Sequence, residues 1–251
     1  MDFAEFFGHP KKIAALITDV DGTICEPDQP ITKELAHALT YLQSTGLTFA
    51  FISGRQWENL HGRISTHLSS PHYLLANTGA HCQYVDGKTT EQYQRSFTIK
   101  QTKEILSALE SLIAEEHIQP HQERDALIKK YSSQITLCGV GCRAPRYIKA
   151  AFDTHKETRT RWVIFLQEKL NSSYTFNIGG DSSLDICLMD KGEGILTFCQ
   201  FNNIEPSQVI FFGDKLYPSG NDYAATKVVD CLAVKNPIDT LKKIQQLFSY
   251  A

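Results

Sequence analysis

The stretch ALITDVDGT, residues 15–23, carries an apolar run directly into two aspartates one residue apart, followed by a glycine and a threonine. An apolar run that ends in turn residues is typical of a buried parallel strand, and parallel sheets bind ligands beyond the carboxyl ends of their strands. Alternation along an extended chain points Asp19 and Asp21 the same way, so both can reach one cation or one phosphorus atom. Acids that cap a helix or lie in an exposed turn are the weaker alternative, because an apolar strand leads into them.

Composition narrows the class of protein. The chain has 251 residues, and its 28 acidic and 25 basic side chains give a formal charge of -3, which offers no support for binding to nucleic acid or to an anionic membrane. No apolar run approaches the roughly 20 residues that span a bilayer. Residues 1–12 lack the apolar stretch of a signal peptide, so the expected location is cytoplasmic. We expect most of the 7 scattered cysteines to be small buried apolar residues in a reducing compartment.

The order of the predicted elements indicates an α/β core. Apolar runs that end in polar turns predict strands at residues 13–19, 47–52, 73–76, 209–212 and 228–234. Apolar residues at helical spacing predict helices at residues 31–45, from 191 to about 202, and from Pro237 onward. Strands that alternate with helices in this way predict a doubly wound, parallel, Rossmann-like sheet.

The pattern changes in the middle of the chain. Asp86 and Gly87 predict a hairpin turn. After them come predicted helices at 99–117 and 158–170, a strand at 134–140, and a strand pair at 174–188 around Gly179 and Gly180. We therefore predict a core domain formed by residues 1–85 and 189–251, with an inserted α+β domain at 86–188.

A second acidic segment, GDKLYPSGND at residues 213–222, places another carboxylate, Asp214, after a buried strand. Three acids at strand ends favour a cation, and hard oxygen ligands suit Mg²⁺. A loop that caps its own backbone is an equally weighted alternative for this segment alone. Ser53 and Lys191 lie at a strand end and a helix start on the same predicted edge, although each alone is as typical of a helix cap or a solvated charge.

Taken in order, the DVDGT segment at residues 19–23, Ser53, Lys191 and the 213–222 segment resemble the four motifs of the haloacid dehalogenase superfamily. The insert between Ser53 and Lys191 resembles the α+β cap of subfamily IIB. The likeness is strongest to the phosphomannomutase-like branch, and it rests on three segments: FFGDK at 211–215, PSGND at 218–222 and GGDSSLD at 179–185.

This resemblance implies a role for each motif residue. Asp19 is expected to take the phosphoryl group as an aspartyl phosphate, and Asp21 to act as general acid and base. Mg²⁺ is expected on Asp19, the backbone carbonyl of Asp21, Asp214 and Asp222, and Asn221 and Asp222 are also expected to position Lys191 and the waters of the metal. The expected phosphate- and substrate-binding residues are Gly22, Thr23, Ser53, Gly54, Lys191 and Asn221 in the core, with Arg143, Ser183 and Asp185 in the cap.

The cap departs from the pattern of the branch. Phosphomannomutases clamp a distal phosphate with arginines in motifs like Arg-Asn-Gly-Met and Pro-Ile-Gly-Arg. The matching stretch, residues 131–143, lacks the first arginine and carries the second one position later, at Arg143, with Arg146 nearby. Residues 24–29 also supply acids where a phosphate-binding arginine is expected. A bidentate guanidinium is hard to replace in phosphate recognition, so the departure weakens the expected distal clamp.

These observations favour an Mg²⁺-dependent phosphotransferase whose usual acceptor is water, that is, a sugar-phosphate phosphatase. A phosphomannomutase that interconverts mannose 1-phosphate and mannose 6-phosphate is the second reading. A phosphate-binding or regulatory protein without turnover is the third, and the intact set of motif residues argues against it. The expected partner is a small phosphorylated molecule, with no nucleic acid and no membrane, and a homodimer stays open as the assembly.

Overall fold

The computed structural model of the chain describes residues 12–170 and 174–248. Its strands are β1 (Ala15–Asp19), β2 (Thr48–Ile52), β3 (His72–Ala76), β4 (His81–Asp86), β5 (Lys88–Gln94), β6 (Ile128–Lys130), β7 (Gln134–Cys138), β8 (Thr175–Gly179), β9 (Ser183–Cys187), β10 (Val209–Gly213) and β11 (Asp230–Ala233). Its helices are α1 (Lys33–Gln43), α2 (Trp57–Leu60), α3 (Ile99–Glu115), α4 (Arg146–Phe152), α5 (Glu157–Lys169), α6 (Lys191–Asn202) and α7 (Pro237–Phe248).

The chain divides into two compact units, and the first contains the described parts of Met1–Gln94 and Asp190–Ala251. Its seven-stranded sheet has the order β11-β10-β1-β2-β3-β4-β5. The five strands β11, β10, β1, β2 and β3 are parallel to one another, whereas β4 pairs antiparallel with β3, and β5 pairs antiparallel with β4. The predicted α/β class with a mainly parallel sheet is therefore confirmed.

Helices cover both faces of this sheet because its central strands are apolar on both sides. β1 is buried along its whole length, as expected for a parallel strand with covered faces. Leu16 packs in one apolar cluster together with residues of α1 and α7. Its neighbour Ile17 packs in another cluster together with residues of α6. Alternate residues of one strand thus build two cores, which is the arrangement of a doubly wound sheet.

The predicted hairpin turn is present, with Asp86 opposite Lys88 across Gly87. Its strands, β4 and β5, extend the central sheet and belong to the first unit. β5 has the mostly exposed sequence KTTEQYQ and pairs with a single neighbour, as an edge strand does. The predicted domain bounds, with the insert at 86–188, remain a prediction.

The second unit, Arg95–Met189, is built on a four-stranded antiparallel sheet with the order β6-β7-β9-β8. One face is apolar, because Leu137 and Leu184 pack with Leu109 of α3 and Trp162 of α5. The alternating positions on β7 and β9 are polar: Gln134, Thr136, Ser183 and Asp185. The unit is therefore a sheet with helices on one face and hydrogen-bonding side chains on the other.

All seven cysteines are free thiols, and all but Cys231 are buried, which agrees with their expected role as small apolar residues. Within residues 12–170 and 174–248, no helix combines the length and the apolar character that a membrane crossing requires.

Candidate active site

Strand register in the first unit brings the motif segments to one edge of the sheet. Asp19 at the end of β1 lies opposite Ile52 at the end of β2, so Ser53 follows directly beside it. On the other side, Thr18 lies opposite Phe212 of β10, and the chain then continues through Gly213 into Asp214. The carboxyl ends of three adjacent parallel strands therefore deliver these polar side chains to one place.

A buried lysine lies between two buried carboxylates. Lys191 Nζ donates a hydrogen bond to Asp19 Oδ1 and another, of 2.5 Å, to Asp222 Oδ1. The three residues are 2%, 4% and 0% exposed, respectively. Burial raises the pKa of Asp19 to about 6, although the charge of Lys191 acts in the opposite direction. Burial alone would lower the pKa of Lys191, but Asp19 and Asp222 raise it above its ordinary value, so the amine stays charged.

The position of Lys191 follows from how α6 begins. Asp190 caps the helix and exchanges side-chain hydrogen bonds with Glu193 in a capping box, which makes Lys191 the first helical residue. Gly194 packs against the backbone near Thr78, and a methyl group built on it would overlap the Thr78 carbonyl oxygen. The close approach that glycine permits brings the first turn of α6, and with it Lys191, to the sheet edge.

Three carboxylates form a cluster that fits a divalent cation. Asp19, Asp214 and Asp222 each place one oxygen within 4.8 Å of the others. Asp214 Oδ1 is buried and has no hydrogen-bond partner among the described residues, while Asp214 Oδ2 pairs with Lys215 Nζ at 3.0 Å. An unpaired buried carboxylate oxygen is costly, and it is also the hard ligand that Mg²⁺ takes. Both oxygens of Asp222 accept hydrogen bonds, from Lys191 and from the Lys215 amide.

Two arginines that sequence reasoning missed hold the carboxylate of Asp21. Arg55 Nε donates to Asp21 Oδ2 at 2.7 Å and Arg55 Nη2 to Oδ1 at 3.3 Å, while Arg63 Nη1 lies 2.9 Å from Oδ1. Arg55 had a signal in the sequence, because it follows Ser53 at the strand end where the other motif residues lie. Arg63 lies in the helical turn His61–Ser65 and had none. The side chain of Asp21 is therefore ion-paired, separate from the three clustered carboxylates.

The predicted phosphate-binding residues of the first unit differ in burial and in hydrogen bonding. Gly22 has a φ of +85°, and a side chain there would meet Asp214 Oδ2 at 2.7 Å. Thr23 is fully buried, and its hydroxyl has no partner in the described part of the chain. Ser53 is buried, and its hydroxyl accepts from the Arg55 amide at 3.2 Å, across Gly54. Asn221 is exposed. The roles of these residues in binding phosphate remain predictions.

Three predicted residues lie in the second unit. Arg143 is exposed in the loop after β7, and its backbone N–H donates to Asp125 Oδ2 at 2.6 Å. The Ser183 hydroxyl donates to the Gly179 carbonyl at 2.8 Å. Asp185 accepts a hydrogen bond of 2.6 Å from the Thr136 hydroxyl, and burial raises the pKa of its carboxyl group. Ser183 and Asp185 share the polar face of the sheet, and their contact with a substrate remains a prediction.

Comparison with known families identifies the arrangement. A family model described as haloacid dehalogenase-like hydrolase matches residues 16–249. The chain belongs to the haloacid dehalogenase-like hydrolases. The resemblance carried by the motif residues is therefore confirmed, and the chain is an enzyme of the phosphatase or phosphomannomutase type.

This haloacid dehalogenase-like chain is similar to phosphomannomutases along most of its length. It is 24% identical over 242 residues to phosphomannomutase 1 of Dictyostelium discoideum, covering 92% of the chain and 94% of that protein. It is 26% identical over 242 residues to the phosphomannomutase of Spinacia oleracea, with the same coverage of both proteins.

Solved structures agree on the fold. The IMP-bound IMP-nucleotidase of Plasmodium falciparum superposes with a TM-score of 0.72 at 17% identity, covering 96% of this chain and 68% of that one. The protein SMU.1108c of Streptococcus mutans superposes with a TM-score of 0.65 at 14% identity, covering 94% of this chain and 99% of that one. At these identities the likeness establishes the fold alone.

Proposed function

We propose that the chain is an Mg²⁺-dependent phosphatase of small phosphorylated molecules, with sugar phosphates as its substrate class. The observation that carries this proposal is the buried Lys191 amine bound to both Asp19 and Asp222, beside the unpaired oxygen of Asp214. A buried charged amine next to a carboxylate at a strand end suits the transfer of a phosphoryl group, whose own charge needs a fixed cation.

The chemistry divides between Asp19 and Asp21. The Asp19 carboxylate attacks phosphorus and forms an aspartyl phosphate, while Asp21 gives a proton to the leaving sugar oxygen. In the second step Asp21 takes a proton from water, the water oxygen attacks phosphorus, and the Asp19 carboxylate is restored. Lys191 and Ser53 bind the oxygens of the transferring group. Each such fixed donor stabilises the transition state by about 3 kcal/mol.

The metal site of this proposal consists of Asp19, Asp214 and the backbone carbonyl of Asp21. A bound Mg²⁺ supplies charge that screens the nucleophile from the phosphate. Asp222 has both oxygens engaged by the Lys191 amine and the Lys215 amide. Its proposed role is therefore to hold Lys191, with Asn221 beside it in the chain.

A phosphomannomutase is the second candidate, favoured by sequence similarity over 92% of the chain. In either reaction we propose Ser183 and Asp185 as ligands of the sugar. Water is the favoured acceptor because the stretch at residues 131–143 retains a single arginine, Arg143, where phosphomannomutases of the resembling branch use several.

Phosphate release from a panel of hexose phosphates tests the proposal. We expect release that needs Mg²⁺, stops in excess EDTA, and disappears in Asp19→Asn. The matched control is Asp86→Asn, which removes an exposed acid in the β4–β5 turn and should leave release unchanged. Release that persists in EDTA or in Asp19→Asn contradicts the proposal, and the absence of release with every substrate favours a binding protein.

A further inference from the structure

The two arginines on Asp21 are held in different ways. Arg63 is 8% exposed at its side chain, and its guanidinium is fixed on several sides. Its Nε donates to the Gln29 carbonyl at 2.8 Å and its Nη2 to the Glu26 carbonyl at 3.0 Å. Its buried Nη1 forms an ion pair with Asp21 Oδ1 at 2.9 Å and makes no hydrogen bond among the described residues. A planar guanidinium fixed to backbone oxygens at two nitrogens has little freedom to leave the third contact.

Arg55 is bound more loosely. Its side chain is 36% exposed, and Nη1 pairs at 2.8 Å with Asp28, whose side chain is 65% exposed. An exposed ion pair of this kind is weak and exchanges readily with water or with another anion. Arg55 therefore has alternatives to its contact with Asp21, whereas Arg63 does not.

The division of the carboxylate oxygens follows the same asymmetry. Asp21 Oδ1 faces the fixed Arg63 and also accepts a longer hydrogen bond, of 3.3 Å, from Arg55 Nη2, whereas Asp21 Oδ2 is held only by Arg55 Nε, at 2.7 Å, among the described residues. A group that gives a proton in one step and takes one in the next cannot keep both oxygens in ion pairs throughout the reaction. The contact that can open is the one made by Arg55, and opening it frees Oδ2.

We propose that Arg63 is a positioning residue for Asp21: it anchors Oδ1 to the backbone of residues 26–29, so that Oδ2 is the oxygen that exchanges the proton. The inference rests on the proposed function, because it requires Asp21 to act as acid and base. Without Arg63, opening the Arg55 contact leaves neither oxygen of Asp21 paired, so the carboxyl group can turn about its side-chain bonds, and a proton donor that is out of line loses most of its effect.

The dependence on the leaving group tests this role. General acid catalysis is worth about 10²- to 10⁴-fold for a poor leaving group such as a sugar alkoxide, and far less for p-nitrophenolate, which departs without a proton. In Arg63→Met we expect kcat/KM, which reports phosphoryl transfer to Asp19 and not the later attack by water, to fall by about 100-fold for hexose 6-phosphate and by less than about threefold for p-nitrophenyl phosphate. The water step uses Asp21 with either substrate, so it should slow equally for both. The control Arg161→Met removes an exposed arginine that pairs with Glu116 in the second unit, and it should leave the ratio of the two rates unchanged.

A double-mutant cycle separates positioning from a general structural effect. If Arg63 acts through Asp21, adding Arg63→Met to Asp21→Asn should cause no further loss with hexose 6-phosphate. Losses that multiply would overturn the inference, as would an equal fall in kcat/KM for both substrates in Arg63→Met.

Folding and the proposed function are controlled separately. Turnover of p-nitrophenyl phosphate by Arg63→Met reports that the variant is folded. Should it not fold, Arg63→Lys serves for the same comparison, because one ammonium cannot hold both carbonyls and Asp21 in the guanidinium geometry. Wild-type protein that releases phosphate from neither substrate contradicts the proposed function, whereas an equal fall in kcat/KM for both substrates in the variant contradicts this inference alone.

Discussion

Lys191 is a buried charged residue, and its hydrogen bonds to two carboxylates offset the free-energy cost of burying the charge. A buried charge lowers the stability of a fold by roughly 5 kcal/mol unless it is paired and hydrogen-bonded. Asp19 and Asp222 occupy two of the three donor directions of the amine. We propose that the remaining donor takes a phosphoryl oxygen, so that the bonds that allow burial also orient the amine for binding.

At the same scale, Asp19→Asn and Asp21→Asn should both abolish turnover but fail differently. The first removes the group that forms the aspartyl phosphate, whereas the second removes only the proton transfers, worth about 10²- to 10⁴-fold. A fluoroberyllate complex with Mg²⁺, which mimics the phosphorylated aspartate, should therefore form in Asp21→Asn and not in Asp19→Asn. Equal formation of that complex in both variants would show that Asp19 is not the nucleophile.

Asp214→Ala should raise the Mg²⁺ concentration needed for half-maximal activity by more than about tenfold, because one of only two proposed carboxylate ligands is lost. Titration of activity with Mg²⁺ measures the change. The control is Asp230→Ala, an acid of β11 outside the carboxylate cluster. An unchanged requirement in Asp214→Ala would remove Asp214 from the metal site.

At the scale of elements, the start of α6 depends on a glycine. In Gly194→Ala the new methyl group meets the carbonyl oxygen of Thr78, which is backbone and cannot move aside. We expect a loss of about 1–3 kcal/mol in the free energy of unfolding, together with reduced turnover because Lys191 is displaced. The control Gly62→Ala lies in a helical turn with open space around it, and should instead gain about 0.4–1 kcal/mol. Urea unfolding and kcat of both variants give the comparison, and equal behaviour would contradict it.

In the second unit, Asp153 organises the start of α5. Its carboxylate accepts from Arg159 Nε at 2.9 Å and from the backbone N–H groups of Thr158 and Arg159. Burial alone would raise the pKa of Asp153, but these hydrogen bonds hold it below its ordinary value. A depressed folded-state pKa means that the carboxylate stabilises the fold above its unfolded pKa of about 3.9, and that this stabilisation is lost as the pH falls through the folded-state pKa.

Asp153→Ala should therefore lower the stability of the second unit by about 3–5 kcal/mol at pH 7, since Arg159 loses its buried partner. The difference from wild type should shrink as the pH falls below about 4. Urea unfolding followed by the fluorescence of Trp162, in a Trp57→Phe background, isolates this unit. Arg161→Met, which breaks an exposed pair, should cost less than about 1 kcal/mol. A pH-independent loss in Asp153→Ala would contradict the role of its charge.

Sequence patterns predicted those helices and strands whose buried apolar residues recur at regular spacing. β1, β2, α3 and α6 begin and end within about two residues of the predicted bounds, because their apolar spacing and flanking turns mark them. α4 escaped prediction because it has only seven residues, which is too short for an apolar period to stand out, and none of them is buried. The place of β5 in the central sheet escaped as well, since an exposed edge strand has no buried alternation to show.

The candidate site divides in a similar way. The acids, Ser53 and Lys191 lie directly at strand ends or at a helix start, where chain order alone places them on one edge. Arg63 reaches Asp21 through a tertiary contact between a helical turn and a loop, which no local pattern encodes. Tertiary packing decides which distant segments form ion pairs. The sequence therefore indicated Asp21, the proposed acid and base, but not Arg63, which contacts it.

At the scale of the whole molecule, the question is which acceptor takes the phosphoryl group. A mutase must rebind its bisphosphate intermediate by the other phosphate, which requires charge-assisted and preferably bidentate contacts far from the reacting group. The corresponding stretch of the second unit supplies Arg143, with Arg146 nearby, and both are exposed. We therefore expect water to compete successfully for the aspartyl phosphate.

The most direct test is ³¹P NMR of mannose 1-phosphate incubated with the enzyme, Mg²⁺ and a catalytic amount of a hexose 1,6-bisphosphate. The proposed phosphatase should release inorganic phosphate faster than mannose 6-phosphate appears, with both signals absent for Asp19→Asn. Mannose 6-phosphate that accumulates faster than inorganic phosphate, and whose formation is selectively lost in Arg143→Ala, would contradict this account and make the sugar hydroxyl the acceptor.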